Sequence, residues 1–214
     1  MASTKVKYSS LWLREVSKRR MTVAIMALQG AFAEHEQMLQ RLGIDTFLIR
    51  KPEDWNRHKD GLIIPGGEST AMLRIMKDEQ LFEPVRSAIE GGLPVFGTCA
   101  GMILLARGVE GEERERIATM DIVVKRNAYG RQLGSFYTVA PVKGIGEDIP
   151  MTFIRAPYIV SVSAEVEVLA TVDGNIVAAR QGNQLVCSFH PELNEDERFH
   201  RYFVQMIQQS LHLV

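Results

Sequence analysis

From Met21 onward the chain alternates short β-rich apolar runs with stretches whose apolar residues recur every three or four positions. The runs at residues 23–28, 46–49, 62–64 and 94–96 are almost wholly apolar, which suits strands covered on both faces of a sheet. Between them a helix is predicted from about Ala31, with Phe32, Leu39 and Leu42 on one stripe and Gly43 as its stop signal. Two more helices are expected near residues 70–76 and 81–90. Strand and helix in alternation imply crossover connections and a largely parallel sheet.

After about residue 120 the pattern changes. VEVLATV, IVAAR and LVCSF are separated by Asp173-Gly174-Asn175 and Gln181-Gly182-Asn183, which are turn residues of antiparallel hairpins. Residues 195–211 close the chain as an amphipathic helix with Phe199, Phe203, Met206, Ile207 and Leu211 facing inward. The charged, Gly-punctuated stretch GVEGEERER at residues 108–116 reads as a solvated loop. The expected fold class is α/β: a mostly parallel central sheet with antiparallel additions.

With 214 residues, 46% of them hydrophobic, one sizeable core and one domain are expected. The only cysteines are Cys99 and Cys187, no disulfide framework, so a reducing compartment, the cytoplasm, is the economical reading. No apolar run approaches the roughly 18 residues of a membrane span, so a soluble protein without membrane contact is expected.

The overall charge of −1 is unevenly spread. Lys5, Lys7, Arg14, Lys18, Arg19 and Arg20 against the single acid Glu15 give the first twenty residues a net +5, which leaves −6 for the rest. A mildly acidic body offers no electrostatic support for nucleic-acid binding. The basic, Ser-containing opening shares features with a transit peptide. The simpler reading is an extension ahead of a start at Met21, which directly precedes the first strand. Residues 1–20 are therefore placed outside the fold, and the domain is taken as residues 21–214.

The chemistry centres on Gly97-Thr98-Cys99-Ala100-Gly101. Small residues around a nucleophile, with a strand before and a helix after, are the pattern of a nucleophile elbow. A helix N-terminus there also favours the thiolate, the form that attacks. Standing alone, Cys99 could equally be a buried, inert core residue. A partner comes from Ser188-Phe189-His190-Pro191-Glu192. Residues two apart on extended chain share a face, so His190 and Glu192 can address one site as a general base and its orienting carboxylate. Residues 62–70, LIIPGGEST, supply a strand, a glycine pair and a Ser/Thr helix cap. The backbone N–H groups of Gly67 and Ala100 could then form an oxyanion hole. By itself the segment is also an ordinary strand-to-helix turn, and it lacks the spacing and lysine of a phosphate-binding loop.

In chain order LQG, PGGEST, GTCAG, RNAYGRQ, FIRAP, AARQG and SFHPEL resemble the triad glutamine amidotransferases, and more closely the family of glutaminase subunits of pyridoxal 5'-phosphate synthase. The resemblance covers nearly all of residues 21–214. It implies a three-layer α/β/α domain that hydrolyses L-glutamine to glutamate and ammonia and hands the ammonia to a separate synthase subunit. It also implies that Cys99 is the nucleophile, His190 the acid/base and Glu192 its carboxylate partner. By the same resemblance Gly67, Glu68, Ser69, Arg126, Ile154 and Arg155 line the glutamine site, and no metal or cofactor is implied. A zwitterionic amino acid does need a cation for its carboxylate and an acceptor for its ammonium. The chain departs from the family pattern at Met102, at Tyr129 and in GSFY at residues 134–137, none of them in the triad.

Two other readings compete. A glutaminase serving imidazole glycerol phosphate or aminobenzoate synthesis would share the triad, and RNAYGRQ with FIRAP speaks against it. A noncatalytic binding or redox-sensing module could keep the fold and the cysteine, but would not require both His190 and Glu192.

Overall fold

The computed structural model describes residues 20–126 and 134–211. The expectation that residues 1–20 stand apart from the fold falls almost wholly outside the described residues. So do all but the first residue of RNAYGRQ, Tyr129 included.

The elements follow the predicted alternation. They run β1 (Thr22–Met26), α1 (Phe32–Arg41), β2 (Asp45–Ile49), a one-turn α2 (Pro52–Trp55), β3 (Gly61–Ile64), α3 (Ser69–Asp78), α4 (Phe82–Glu90), β4 (Val95–Thr98) and α5 (Ala100–Leu105). Next come β5 (Ala106–Val109), β6 (Met120–Lys125), β7 (Ser135–Val142), β8 (Gly146–Ile154), β9 (Tyr158–Val162), β10 (Glu167–Val172), β11 (Asn175–Gln181) and β12 (Gln184–Cys187). A 3-10 turn (Pro191–Leu193) and α6 (Arg198–Ser210) complete the chain.

One sheet runs in the order β2-β1-β3-β4-β12-β11-β9-β6-β5, with β10 paired to β11. β2, β1, β3, β4 and β12 are mutually parallel, and β11 turns back antiparallel to β12 through the second predicted hairpin. Alternate residues of β1 face opposite ways: Ala24 and Met26 pack in a core under α3, α4 and α5, whereas Val23 and Ile25 pack in one with α1, α6 and the β7–β8 hairpin. This is why the central strands read as unbroken apolar runs: both faces are dry. Of the predicted inward stripe of α6, Phe199, Phe203, Met206 and Ile207 are buried, whereas Leu211 caps the helix and is half-buried. Among the described residues, no helix is long and apolar enough to cross a membrane.

Two expectations need correction. Residues 108–116 are not a solvated loop throughout: β5 pairs parallel to β6, Val109 is buried, and Arg116 is only 8% exposed. The charges there are met by distant partners, Glu110 by Lys125, Glu112 by Arg126 and Glu115 by Lys77, which local polarity cannot reveal. The cap of α3 is also neither Ser69 nor Thr70. Glu68 takes extended backbone angles and its carboxylate accepts from the N–H groups of Thr70 (3.1 Å) and Ala71 (2.7 Å).

Candidate active site

The site forms where parallel strands end, the usual position in an open α/β sheet. Gln29 follows β1, Glu68 follows β3, Cys99 follows β4 and His190 follows β12. These four side chains, with Gly67, Ser69, Ile103, Arg126, Ile154 and Arg155, line one cavity of about 440 Å³.

Cys99 stands at the sharp turn between β4 and α5, with φ 48° and ψ −99°. A positive φ in a residue with a Cβ is strained, as an elbow that presents its side chain to a cavity requires. The flanking glycines are needed because backbones touch there. A Cβ on Gly101 would lie 2.0 Å from the Ile64 carbonyl oxygen, and one on Gly97 would lie 2.8 Å from the Gly101 carbonyl carbon. The Cys99 N–H donates to the Cys187 carbonyl (2.8 Å), locking the turn to the strand that leads to His190. α5 is only six residues long, but Ala100 opens it, and the N–H groups of a first helical turn have no partner inside the helix.

His190 faces Cys99 across Gly66, where a Cβ would sit 2.3 Å from His190 Cε1 and 3.3 Å from Cys99 Cβ. Thus one member of the glycine pair is dictated by contact with the imidazole. The Gly66 carbonyl accepts from the Ala31 N–H (3.2 Å). Because a trans peptide points its C=O and N–H in opposite directions, the Gly67 N–H is turned away from that contact. His190 Nδ1 lies 2.7 Å from Glu192 Oε1, and both side chains are buried. Burial opposes charge on His190, but its interactions with Cys99 and Glu192 outweigh this and raise its pKa to about 10.

Cys187 behaves differently. It is fully buried, its Sγ donates to the Phe189 carbonyl (3.3 Å), and burial, with the Glu192 and Cys99 charges nearby, pushes its thiol well above the ordinary value. It is a packing residue, whereas Cys99 opens onto the cavity.

Arg126, also in the lining, is clamped by two carboxylates, Glu68 Oε1 at 2.9 Å and Glu112 Oε1 at 3.1 Å. Burial disfavours charge on Glu68, yet the Thr70 and Ala71 N–H groups and the Arg126 guanidinium hold it below the usual range. Arg155, with φ 43°, follows Ile154 at the end of β8, its N–H donating to the Gly134 carbonyl. The cavity thus brings together a thiol facing a buried imidazole–carboxylate pair, an acid and two arginines. That is a fit for a small zwitterion with a reactive carbonyl on its side chain.

A model of the SNO glutamine amidotransferase family matches residues 25–209. The chain belongs to this family. It is 54% identical over 193 residues to the pyridoxal 5'-phosphate synthase subunit PdxT of Streptococcus pneumoniae strain CGSP14, covering 89% of this chain and 99% of that one. The PdxT of serotype 2 strain D39 is 53% identical over the same length. A solved structure described as a glutamine amidotransferase superposes with a TM-score of 0.82 at 43% identity, covering 86% of this chain and 98% of the other. A glutamine amidotransferase structure from Thermotoga maritima, at 13% identity and a TM-score of 0.59 over 89% of this chain and 85% of the other, shares the fold.

Of the sequence-predicted site residues, Cys99, His190, Gly67, Glu68, Ser69, Arg126, Ile154 and Arg155 line this one cavity, whereas Glu192 stands behind His190 and Ala100, next to Cys99, is not part of the lining. Gln29, Ile103 and Glu112 were not anticipated as site residues. Gln29 Oε1 accepts from the Glu68 N–H (2.7 Å), and its signal was its place directly after the first parallel strand. Ile103 lies one helical turn beyond Cys99, and its N–H donates to the Cys99 carbonyl (3.3 Å). Among the described residues, no group of three His, Cys, Asp or Glu side chains is placed to hold a metal ion.

Proposed function

We infer that this chain is the glutaminase subunit of a pyridoxal 5'-phosphate synthase. It hydrolyses L-glutamine to L-glutamate and ammonia and supplies the ammonia to the synthase subunit. The relationship to the PdxT subunits supports the partner and the pathway. The observation that carries the chemistry is Cys99 at a strained elbow facing a buried His190–Glu192 pair across Gly66.

In this reading the Cys99 thiolate attacks the carboxamide carbon, and the developing oxyanion is met by the Gly67 and Ala100 N–H groups. His190, charged beside the thiolate, gives its proton to the departing nitrogen, which leaves as ammonia with the C–N bond broken and a γ-glutamyl thioester formed. Neutral His190 then takes a proton from water, the resulting hydroxide attacks the thioester, and glutamate leaves as the thiol is restored. Glu192 orients the imidazole throughout and stabilises its charge. Arg126 and Arg155 bind the substrate carboxylate, and Glu68 accepts from its ammonium, with Ser69 and Ile154 shaping the wall. These steps call for no metal or cofactor. The two unpaired cysteines fit a reducing cytoplasm.

The test is glutamate formation by the chain mixed with its synthase partner, with acid-quenched enzyme analysed by mass spectrometry for the glutamyl adduct on Cys99. A chain that binds the synthase but yields neither glutamate nor adduct would refute the reading.

A further inference from the structure

Behind the triad lies a second buried pair of imidazoles that the chemistry above does not use. His35, on α1, and His200, on α6, are both fully buried, 165 residues apart in sequence, with His35 Nδ1 2.8 Å from His200 Nε2. They sit among phenylalanines: the ring of Phe96 is nearly perpendicular to both imidazoles and stacks on Phe199. Apolar side chains would fill such a place without the cost of burying polar nitrogens. The other nitrogen of His35 points back toward the triad. Its Nε2 lies 3.4 Å from Glu192 Oε2 and 3.2 Å from the hydroxyl of Thr98, the residue before the nucleophile.

The tautomers follow from what each nitrogen can reach. Burial and the neighbouring His200 and His190 hold His35 well below the ordinary imidazole range, and burial with the Arg41 charge lowers His200 to about 3, so both rings are neutral. Among the described residues His200 Nδ1 is buried with no partner. An unmet N–H is rarer and more costly in a core than an unmet lone pair, so His200 carries its proton on Nε2 and donates to His35 Nδ1. That leaves the His35 proton on Nε2, donated to Thr98 Oγ1 with Glu192 Oε2 3.4 Å away. Glu192 Oε2 is itself buried and has no hydrogen-bond partner among the described residues. The ionisable groups around this carboxylate are therefore His190, His35 and, from β12, Cys187.

We propose that His35, with its tautomer set by His200, is a positioning residue for the triad: its Nε2–H, 3.4 Å from the second oxygen of Glu192, steadies that carboxylate electrostatically, so that the first oxygen stays aligned on His190 Nδ1. The proposal rests on the glutaminase reading above, but it makes a structural claim that can be tested without turnover. A histidine serving only to fill the core would have no such directional requirement.

The first test is on the unaltered chain: ¹⁵N NMR of histidine-labelled protein should show His35 as the Nε2–H tautomer. An Nδ1–H tautomer would overturn the proposal, because no proton would then face Glu192. The second is a double-mutant cycle in the complex with the synthase. His35→Leu should lower kcat about 10-fold to 100-fold with KM little changed, the range seen when outer partners of metal-site ligands are removed. His35→Gln, whose amide can donate to Glu192 and accept from His200, should recover most of that loss. In a Glu192→Gln background His35→Leu should cost nothing further. Equal losses in both backgrounds, or no loss in either, would assign His35 to packing alone. If His35→Leu does not fold, the tautomer measurement still decides. Failure of the wild-type complex to make glutamate would refute the glutaminase reading instead.

Discussion

The N–H of Cys99 donates to the carbonyl of Cys187 at 2.8 Å, and this backbone bond joins the nucleophile's turn to the strand that delivers His190 three residues later. β4 and β12 run parallel with Thr98 opposite Cys187, so their ends emerge on the same edge of the sheet. Strand register thus brings Cys99 and His190 to one edge, while Cys187, between them, is packed in the core.

Cys99→Ala should abolish glutamate formation while leaving the fold intact. Cys187→Ala should retain most of the activity and lose about 1–2 kcal/mol of stability, since it removes one small buried group from a packed strand. Glutamate assays of both variants beside urea unfolding check this. Activity lost in Cys187→Ala but kept in Cys99→Ala would reverse the assignment.

Gly101→Ala should be poorly tolerated, because the new methyl would fall 2.0 Å from the Ile64 carbonyl. A loss of about 3 kcal/mol is expected, together with loss of activity as the elbow is forced open. Calorimetric melting of the variant measures the first, and alkylation of Cys99 by iodoacetamide the second.

Arg126→Lys should raise the KM for glutamine about 10-fold to 100-fold with a smaller change in kcat. Hydrogen bonds to charged groups are worth about 1.5–3 kcal/mol, and lysine cannot reproduce a planar two-point clasp. Glu112→Gln, which removes one of the two carboxylates on Arg126, should raise KM less. Steady-state kinetics on the complex separates the two.

His190 carries a pH signature with a definite sign. Its folded pKa is raised to about 10 from an ordinary 6.5 despite its burial, through Cys99 and Glu192. The stabilisation from its charge is therefore complete below about pH 6.5 and fades as pH rises toward 10. NMR titration of His190 should show this, and in Cys99→Ala its pKa should fall because one of the two supporting partners is gone. An unchanged value in that variant would show that Glu192 alone sets it.

We also expect residues 1–20 to be dispensable: a chain starting at Met21 should fold, bind the synthase and hydrolyse glutamine like the longer one. The family match begins at residue 25, inside β1. Thermal melting and glutamate assays of the two chains compare them directly, and a truncated chain that unfolds or loses partner binding would make the extension part of the working protein.

What the sequence determined by itself was whatever depends on neighbours along the chain. Doubly buried strands announce themselves as apolar runs, and the turns of β10–β12 as Asp-Gly and Gln-Gly pairs. An elbow must place small residues on both sides of its nucleophile, so Cys99 was visible, as was His190 with Glu192 two residues on. Only the tertiary structure decided which charges are met and by what. Glu112 and Arg116 lie in a stretch that looks solvated, yet one clasps Arg126 and the other is nearly buried, since the partners of a charge lie elsewhere in the chain. His35 and His200 fall on helix faces where a histidine signals nothing, and their meaning depends on the sheet register that sets Glu192 and Thr98 beside them. Local periodicity reports which side of an element is buried. What a buried polar atom touches is fixed by packing between elements, and that is where the second layer of this site was written.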